Sequence, residues 1–386
     1  MGVILLKKVS KNNKLKITND IESLNLAPLG DNIYHYQYKT KSLLSMINKG
    51  IDKESSSYIA LYNTFVGALY ENIIYEHLLI YAKTNDFISK FILKGPHQND
   101  SRNIKNGFLI DTKSQIVFKS GYKDISEFDA MFFSVDSVYF VEMTVVKSTA
   151  DLRKRLKKKR SLLKLLFPKL DIKCLVVVTK EALATHLFPD FCVVWITDTL
   201  DIYPILKNIK NKTYEKKQLQ ISHNNKMINI YDIDTSNFKY YSTLKWILYK
   251  ISNKNIKRQA EFLKSKNIED YYNIYSKIFI AYIIKEDFEK LYENKKSKLK
   301  DILNQKFADD KIYVAVEKTY QDDYKIVYYI KLEKKLKKIE PHINGFKISD
   351  KQPKGFTFSE IKFLQHLFNE KNKITIQNTK LFKELL

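Results

Sequence analysis

The reading of this chain starts at Ser126–Lys147, SEFDAMFFSVDSVYFVEMTVVK. β-Branched and aromatic residues flank Ser134-Val135-Asp136-Ser137, which predicts two strands joined by a tight reversal. A hairpin centred between Val135 and Asp136 places Asp129 opposite Glu142 and Glu127 opposite Thr144. Side chains alternate along a strand, so Glu142 and Thr144 share a face that Asp129 joins from the neighbouring strand. Directly opposed carboxylates about 5 Å apart repel. Among Phe, Met and Val, a divalent cation, a shared proton or a bridging basic side chain has to offset that repulsion.

An acid on one strand, then an acid on the next with a polar residue two positions on, resembles the PD-(D/E)xK nuclease superfamily. Asp129 matches the first acid of that motif, and Glu142-Met143-Thr144 matches its (D/E)-x-K tripeptide. Phe128 stands where the motif has Pro, and Thr144 where it has Lys. The Glu-x-Thr variant is similar to that of some viral cap-snatching endonucleases. The resemblance implies a three-layer α/β sandwich with a mixed β-sheet, the restriction-endonuclease-like core. It further implies hydrolysis of phosphodiester bonds in DNA or RNA, with Mg2+ or Mn2+ held by Asp129 and Glu142 through hard oxygen ligands. A helix carrying an acid precedes the first strand of such cores, which makes Glu71 the third metal ligand, with Glu76 or His77 as substitutes. Thr144 would hydrogen-bond the attacking water, and Lys147 or Lys154 would supply the missing cation.

Outward from the hairpin, the order of elements agrees with that implication. The segment SYIALYNTFVGALYENIIYEHLLIYAKT from Ser57 is predicted helical, with Leu61, Phe65, Leu69 and Ile73 in a stripe. Phe87–Leu93 reads as a strand closed by Gly95-Pro96. Residues 97–126 read as a polar excursion with one strand near Ile116–Lys119, in which His97 and Asp111 are either extra ligands or, as is usual for a lone loop residue, solvated. Thr149–Phe167 is predicted to be a helix capped by Thr149, with Leu152, Leu156, Leu163 and Leu166 buried. Seven of its eight residues from Arg153 to Arg160 are basic: Arg153, Lys154, Arg155, Lys157, Lys158, Lys159 and Arg160. That face is the candidate nucleic-acid contact, because a run of like charge is relieved by phosphates. Ile172–Thr179 and Phe191–Ile196 are apolar runs expected of central strands, with a short helix at Lys180–Phe188 between them.

A chain of 386 residues with 44% hydrophobic content is long and apolar enough for two cored domains. The expected division is a mixed N-terminal segment (1–56), the α/β core (57–205) and a mostly helical α+β C-terminal domain (206–386), itself a candidate nucleic-acid binder. Strand-like pieces are expected at Gly2–Leu6 and Asn32–Tyr38. Beyond the core, a hairpin is expected at Leu219–Ile230, helices over 242–307, a second hairpin at Ile312–Val316 and Lys325–Ile330, and a final helix capped by Ser359. The net charge of +24 points to a polyanionic partner, though lysine is also enriched by the Lys/Asn/Ile/Tyr bias of an AT-rich genome. The opening MGVILLKKVS is too short in apolar residues for a signal peptide, lacks the myristoylation pattern, and no run approaches a membrane span. A cytoplasmic protein is expected, its oligomeric state open, a homodimer included. Cys174 and Cys192 lie in apolar strands and read as buried thiols. Gly-rich phosphate loops and zinc-type Cys/His clusters are absent from the sequence. Three functions stand against one another: a metal-dependent nuclease, an inactive nucleic-acid-binding module that keeps its fold, and a structural protein whose Asp129–Glu142 pair is protonated or bridged by a basic side chain.

Overall fold

In a computed structural model of the chain, residues 24–38, 40–98, 102–199, 202–211, 218–219, 224–293, 310–319, 322–332, 335–342, 345–349, 358–368 and 372–386 are described. The expected strand at Gly2–Leu6 and residues 220–223 of the expected Leu219–Ile230 hairpin lie outside them, whereas Ser359, the expected cap, lies within the helix Phe358–Leu367. The chain forms two compact units, Met1–Phe238 and Lys239–Leu386. The boundary between these units lies past the expected division at 205/206.

The first unit is mixed α/β. Helix α1 (Thr40–Asn48) precedes the long helix α2 (Ser56–Thr84), whose first turn is held by Ser55 accepting the Tyr58 amide. Helix α2 is apolar around much of its surface, so it needs cover on more than one side. Tyr70, Ile74, Tyr75 and Leu78 pack on the sheet, whereas Phe65, Leu69 and Ile73 pack with Leu29, Ile33, Leu43 and with Ile205 of helix α4 (Tyr203–Asn211). Residues Asn32–His35 are a 3-10 turn in that second cluster, not a strand.

A six-stranded sheet runs in the order β8-β7-β6-β5-β1-β9. Its members are β1 (Lys90–Ile92), β5 (Ala130–Phe133), β6 (Ser137–Thr144), β7 (Asp171–Thr179), β8 (Cys192–Thr197) and β9 (Met227–Ile228). Strands β6, β7 and β8 are parallel, β5 is antiparallel to both β6 and β1, and β9 joins β1 in parallel. Helix α3 (Ala150–Leu166) crosses between the parallel strands β6 and β7. The tight reversal is where the sequence placed it, with the Ser134 amide bonded to the Ser137 carbonyl at 2.9 Å and Ala130 opposite Val141.

Four local expectations fail. The first hairpin strand breaks at Asp129: β4 (Lys123–Phe128) belongs instead to an antiparallel sheet with β2 (Asn106–Ile110) and β3 (Ile116–Ser120). Glu127 therefore faces Val117 and not Thr144. The expected polar excursion is in truth this second sheet, organised around Phe108, Phe118 and Phe128. Strand β8 is an edge strand with Ile196 54% exposed, so its apolar run does not mean burial on both faces. Between β7 and β8 only Thr185–Leu187 is helical, as one 3-10 turn.

The second unit packs helices α5 (Tyr240–Ser252), α6 (Ile256–Lys264), α7 (Lys266–Tyr275), α8 (Lys285–Leu291), α9 (Phe358–Leu367) and α10 (Ile376–Leu385) with a five-stranded antiparallel sheet. The sheet is a meander of β10 (Ile278–Ile284), β11 (Lys311–Lys318), β12 (Tyr324–Leu332), β13 (Lys335–His342) and β14 (Gly345–Ile348). The β11–β12 hairpin was expected; β10, inside a stretch expected to be helical, was not. Phe279, Tyr313, Ala315 and Tyr329 of this sheet share a core with Leu248, Ile361 and Phe368.

Candidate functional site

The bend at Asp129 builds the site. Leaving one sheet and entering the other, the chain turns the Asp129 carboxylate onto the backbone of β6, where Oδ2 accepts the Met143 amide at 2.7 Å. Glu142 projects from β6 on the side reached by α3 and is 3% exposed. Arg155 donates to its Oε1 and Lys159 to its Oε2. The Lys159 ammonium also lies 5.6 Å from the centre of the Phe128 ring. The charge of Glu142 is thus offset by two basic side chains from one helix, which is the bridging solution among those the sequence left open.

A third cation comes from a position the sequence did not single out. Lys94, just past β1, is 1% exposed. Its Nζ donates to Gln115 Oε1 at 3.3 Å and sits 5.2 Å from the centre of the Tyr75 ring. Burial pulls the Lys94 ammonium below its ordinary range, and the nearby Glu71 and Asp129 charges oppose that pull. Glu71, from α2, completes the group: burial, and then the Asp129 charge, push its carboxyl up to about 8. Burial and the Glu142 charge likewise raise Asp129, against Lys159 and Lys94. Lys159 is raised: the Glu142 and Asp129 charges outweigh its burial, the largest single influence. The group therefore contains a carboxyl protonated at neutral pH beside a lysine with a weakened hold on its proton, an arrangement suited to acid–base work.

Thr144 shares the Glu142 face of β6, is half-buried, and accepts the Val146 amide at 3.2 Å. Strand β6 ends at Thr144, but Lys147 then points to Glu181 at 3.0 Å with its side chain 72% exposed, away from the acids. Lys154 and Lys157 are exposed, Arg153 and Lys158 half-buried. Arg160 donates to the Ile172 carbonyl at 3.3 Å and stacks its guanidinium 4.5 Å from the Phe191 ring centre. The basic run thus divides: Arg155 and Lys159 turn to Glu142, and Lys154 and Lys157 face solvent. Thr149 does not cap α3; its hydroxyl donates to the Leu183 carbonyl.

Glu76, the expected substitute for Glu71, belongs to a different network. It is fully buried and accepts from Tyr36 at 2.6 Å and Asn32 at 3.1 Å, and it contacts His97 Nε2 at 2.6 Å. The hydrogen bonds and charge of His97, with those of Tyr36 and Asn32, bring Glu76 below its usual range despite burial. His97 is therefore buried and paired, not solvated. Asp111 accepts the Lys113 and Gln115 amides, which shapes the turn that presents Gln115 to Lys94. His77 is buried, and its burial lowers its pKa.

The expected metal does not fit the side chains present. Both Glu142 oxygens are engaged by Arg155 and Lys159, and among the described residues no group of three His, Cys, Asp or Glu side chains is placed to hold an ion.

No family model matches the chain, and no solved structure matches it. Over 122 residues the chain is 31% identical to a poly(ribitol-phosphate) alpha-N-acetylglucosaminyltransferase of Staphylococcus aureus (strain COL). The match covers 31% of this chain and 24% of that enzyme, so the chain spans about a quarter of the length of the relative. This likeness overturns the expected nuclease activity, because the matched protein is an N-acetylglucosaminyltransferase. The alternative of an inactive nucleic-acid-binding module has no support from it either, and neither nuclease activity nor metal binding stands. Among the described residues, no helix is long and apolar enough to cross a membrane.

Proposed function

We propose that the chain acts in glycosyl transfer to a phosphate-bearing polymer. The observation that carries this reading is the 31% identity over 122 residues to an enzyme that glycosylates poly(ribitol-phosphate). Two features of the first unit support it. Glycosyl transfer needs a group to take the acceptor hydroxyl's proton, and Glu71, pushed up to about 8 beside Lys94, becomes such a base as pH rises towards 8 and its carboxyl gives up its proton. A polyanionic acceptor also suits a chain of net charge +24 whose helix α3 turns Lys154 and Lys157 to solvent. For the architecture, we propose the restriction-endonuclease-like arrangement of a helix, a mixed sheet and a crossover helix; what supports it is the order α2, β1, β5, β6, α3, β7. A fold leaves the reaction open, so this arrangement and sugar transfer are compatible.

The test is incubation of the purified chain with an activated, labelled N-acetylglucosamine donor and poly(ribitol-phosphate). Label should enter the polymer, and Glu71→Gln should reduce its rate by about 100-fold, the lower range of a lost acid–base group. Polymer left unlabelled under conditions where the Staphylococcus aureus enzyme labels it would sink the reading.

A further inference from the structure

The two cysteines, eighteen positions apart in the sequence, are neighbours in the sheet. Cys174 of β7 is directly paired with Cys192 of β8 in the parallel register, so both side chains leave the sheet on the same face. Adjacent strands lie about 4.8 Å apart, inside the 4.4–6.8 Å range of Cα separations that a disulfide spans. The Cys192 thiol is near enough to raise the pKa of the Cys174 thiol, after burial itself. Cys174 is buried, whereas Cys192, on the edge strand, is half-buried and reachable from solvent.

We propose that Cys174 and Cys192 form a reversible, peroxide-responsive dithiol–disulfide pair. Cys192 reacts first: its sulfur attacks a peroxide oxygen, the O–O bond breaks, water leaves, and Cys192 becomes a sulfenic acid. The Cys174 sulfur then attacks the Cys192 sulfur; the S–S bond forms, the S–O bond breaks, and the departing hydroxide takes the Cys174 proton as water. Two thiols and one hydrogen peroxide thus give one disulfide and two waters. Burial holds the Cys174 thiol above its usual range, which keeps it protonated and leaves the first step to Cys192.

Geometry also sets how firmly the bond would hold. Paired residues on neighbouring strands are held at the strand spacing of about 4.8 Å, whereas the Cβ atoms of a disulfide need about 3.5–4.5 Å. Closing that gap strains the strands, and strained disulfides are the readily reduced, regulatory ones. The consequence reaches the candidate site. Cys174 pairs with Phe140 of β6, two residues before Glu142 on the same face, and the charges of Glu142 and Lys159 act on its thiol. Drawing β8 onto β7 at this point tightens the floor under α3, which carries Arg155 and Lys159.

The experiment uses the full reduced chain exposed to equimolar hydrogen peroxide and then denatured without reductant. Expected are loss of both free thiols, an intact mass lower by two hydrogens, and a peptide joining Cys174 to Cys192 that reduced glutathione cleaves. In Cys174→Ser, Cys192 should instead accumulate as a sulfenic acid trapped by a dione probe; in Cys192→Ser, Cys174 should stay unmodified. Two free thiols after the same exposure, a sulfinic acid at Cys192 with Cys174 free, or a dimer bridged through Cys192 would each overturn the proposal.

Discussion

At the scale of single residues, the site is decided by which cation answers which acid. Lys159 falls three residues after Leu156 and four before Leu163, on the buried stripe of α3, and that spacing alone marks it as inward-facing. The density of the basic run hid this: seven similar charges read as one face, although helical geometry spreads them around the axis. Lys94 was harder to see, since a lysine closing an apolar strand reads as solvated until Gln115 and Tyr75 are folded over it. Replacing Lys159 with Met should destabilise the protein by about 3 kcal/mol, the lower end for a broken buried pair because Arg155 remains on Glu142. Urea denaturation measures it, and the double variant Lys159→Met/Glu142→Gln should recover part of the loss; equal losses would show that the pair is not coupled. Glu71 makes a prediction in pH. Its folded-state value, near 8, lies above the usual 4.5, so the folded protein keeps a proton that the unfolded chain releases between those values. Its contribution to stability is complete below pH 4.5 and is lost as pH rises through 8. Glu71→Gln should therefore flatten the fall in melting temperature between about pH 5 and 8; an unchanged slope would place the carboxyl in an ordinary environment.

At the scale of elements, the hairpin reversal, the long helix, the crossover helix and the parallel strands were all legible from periodicity and turn residues. What was not legible is the change of sheet at Asp129, because SEFDAMFF is a continuous β-type run and nothing local says that its two halves pair with different partners. Strand β10 escaped similarly: Ile278–Ile284 is apolar throughout, and a short run of that kind has no period to separate strand from helix. The Gly95 turn shows the reverse, a dipeptide whose reason becomes visible in three dimensions. Gly95 has φ +64°, and a Cβ there would collide with Tyr36 Cε1. Tyr36 in turn donates to the buried Glu76. Gly95→Ala should therefore cost about 1–3 kcal/mol through backbone strain and displacement of that ring. Thermal unfolding checks it, and a variant as stable as the parent would show that the Tyr36 ring yields freely.

At the scale of the whole molecule, each unit has its own apolar core, Tyr75 and Phe132 lying in the first and Tyr313 and Phe368 in the second. Residues 239–386 expressed alone should therefore unfold in one cooperative transition by calorimetry. A broad, non-cooperative melt would mean that the second unit depends on the first. The first unit carries a further consequence in the pairing of β1 with β9, where Phe91 lies beside Met227. Every other described strand of the first unit lies between them in the sequence, so this contact closes the longest loop among the described strands of the sheet. Contacts of such separation form late, since chain closure must come first. During synthesis, the outer side of β1 stays open until residue 228 has left the ribosome. A nascent chain stalled before that point exposes a bare strand border, and there the growing protein is most prone to associate with its neighbours.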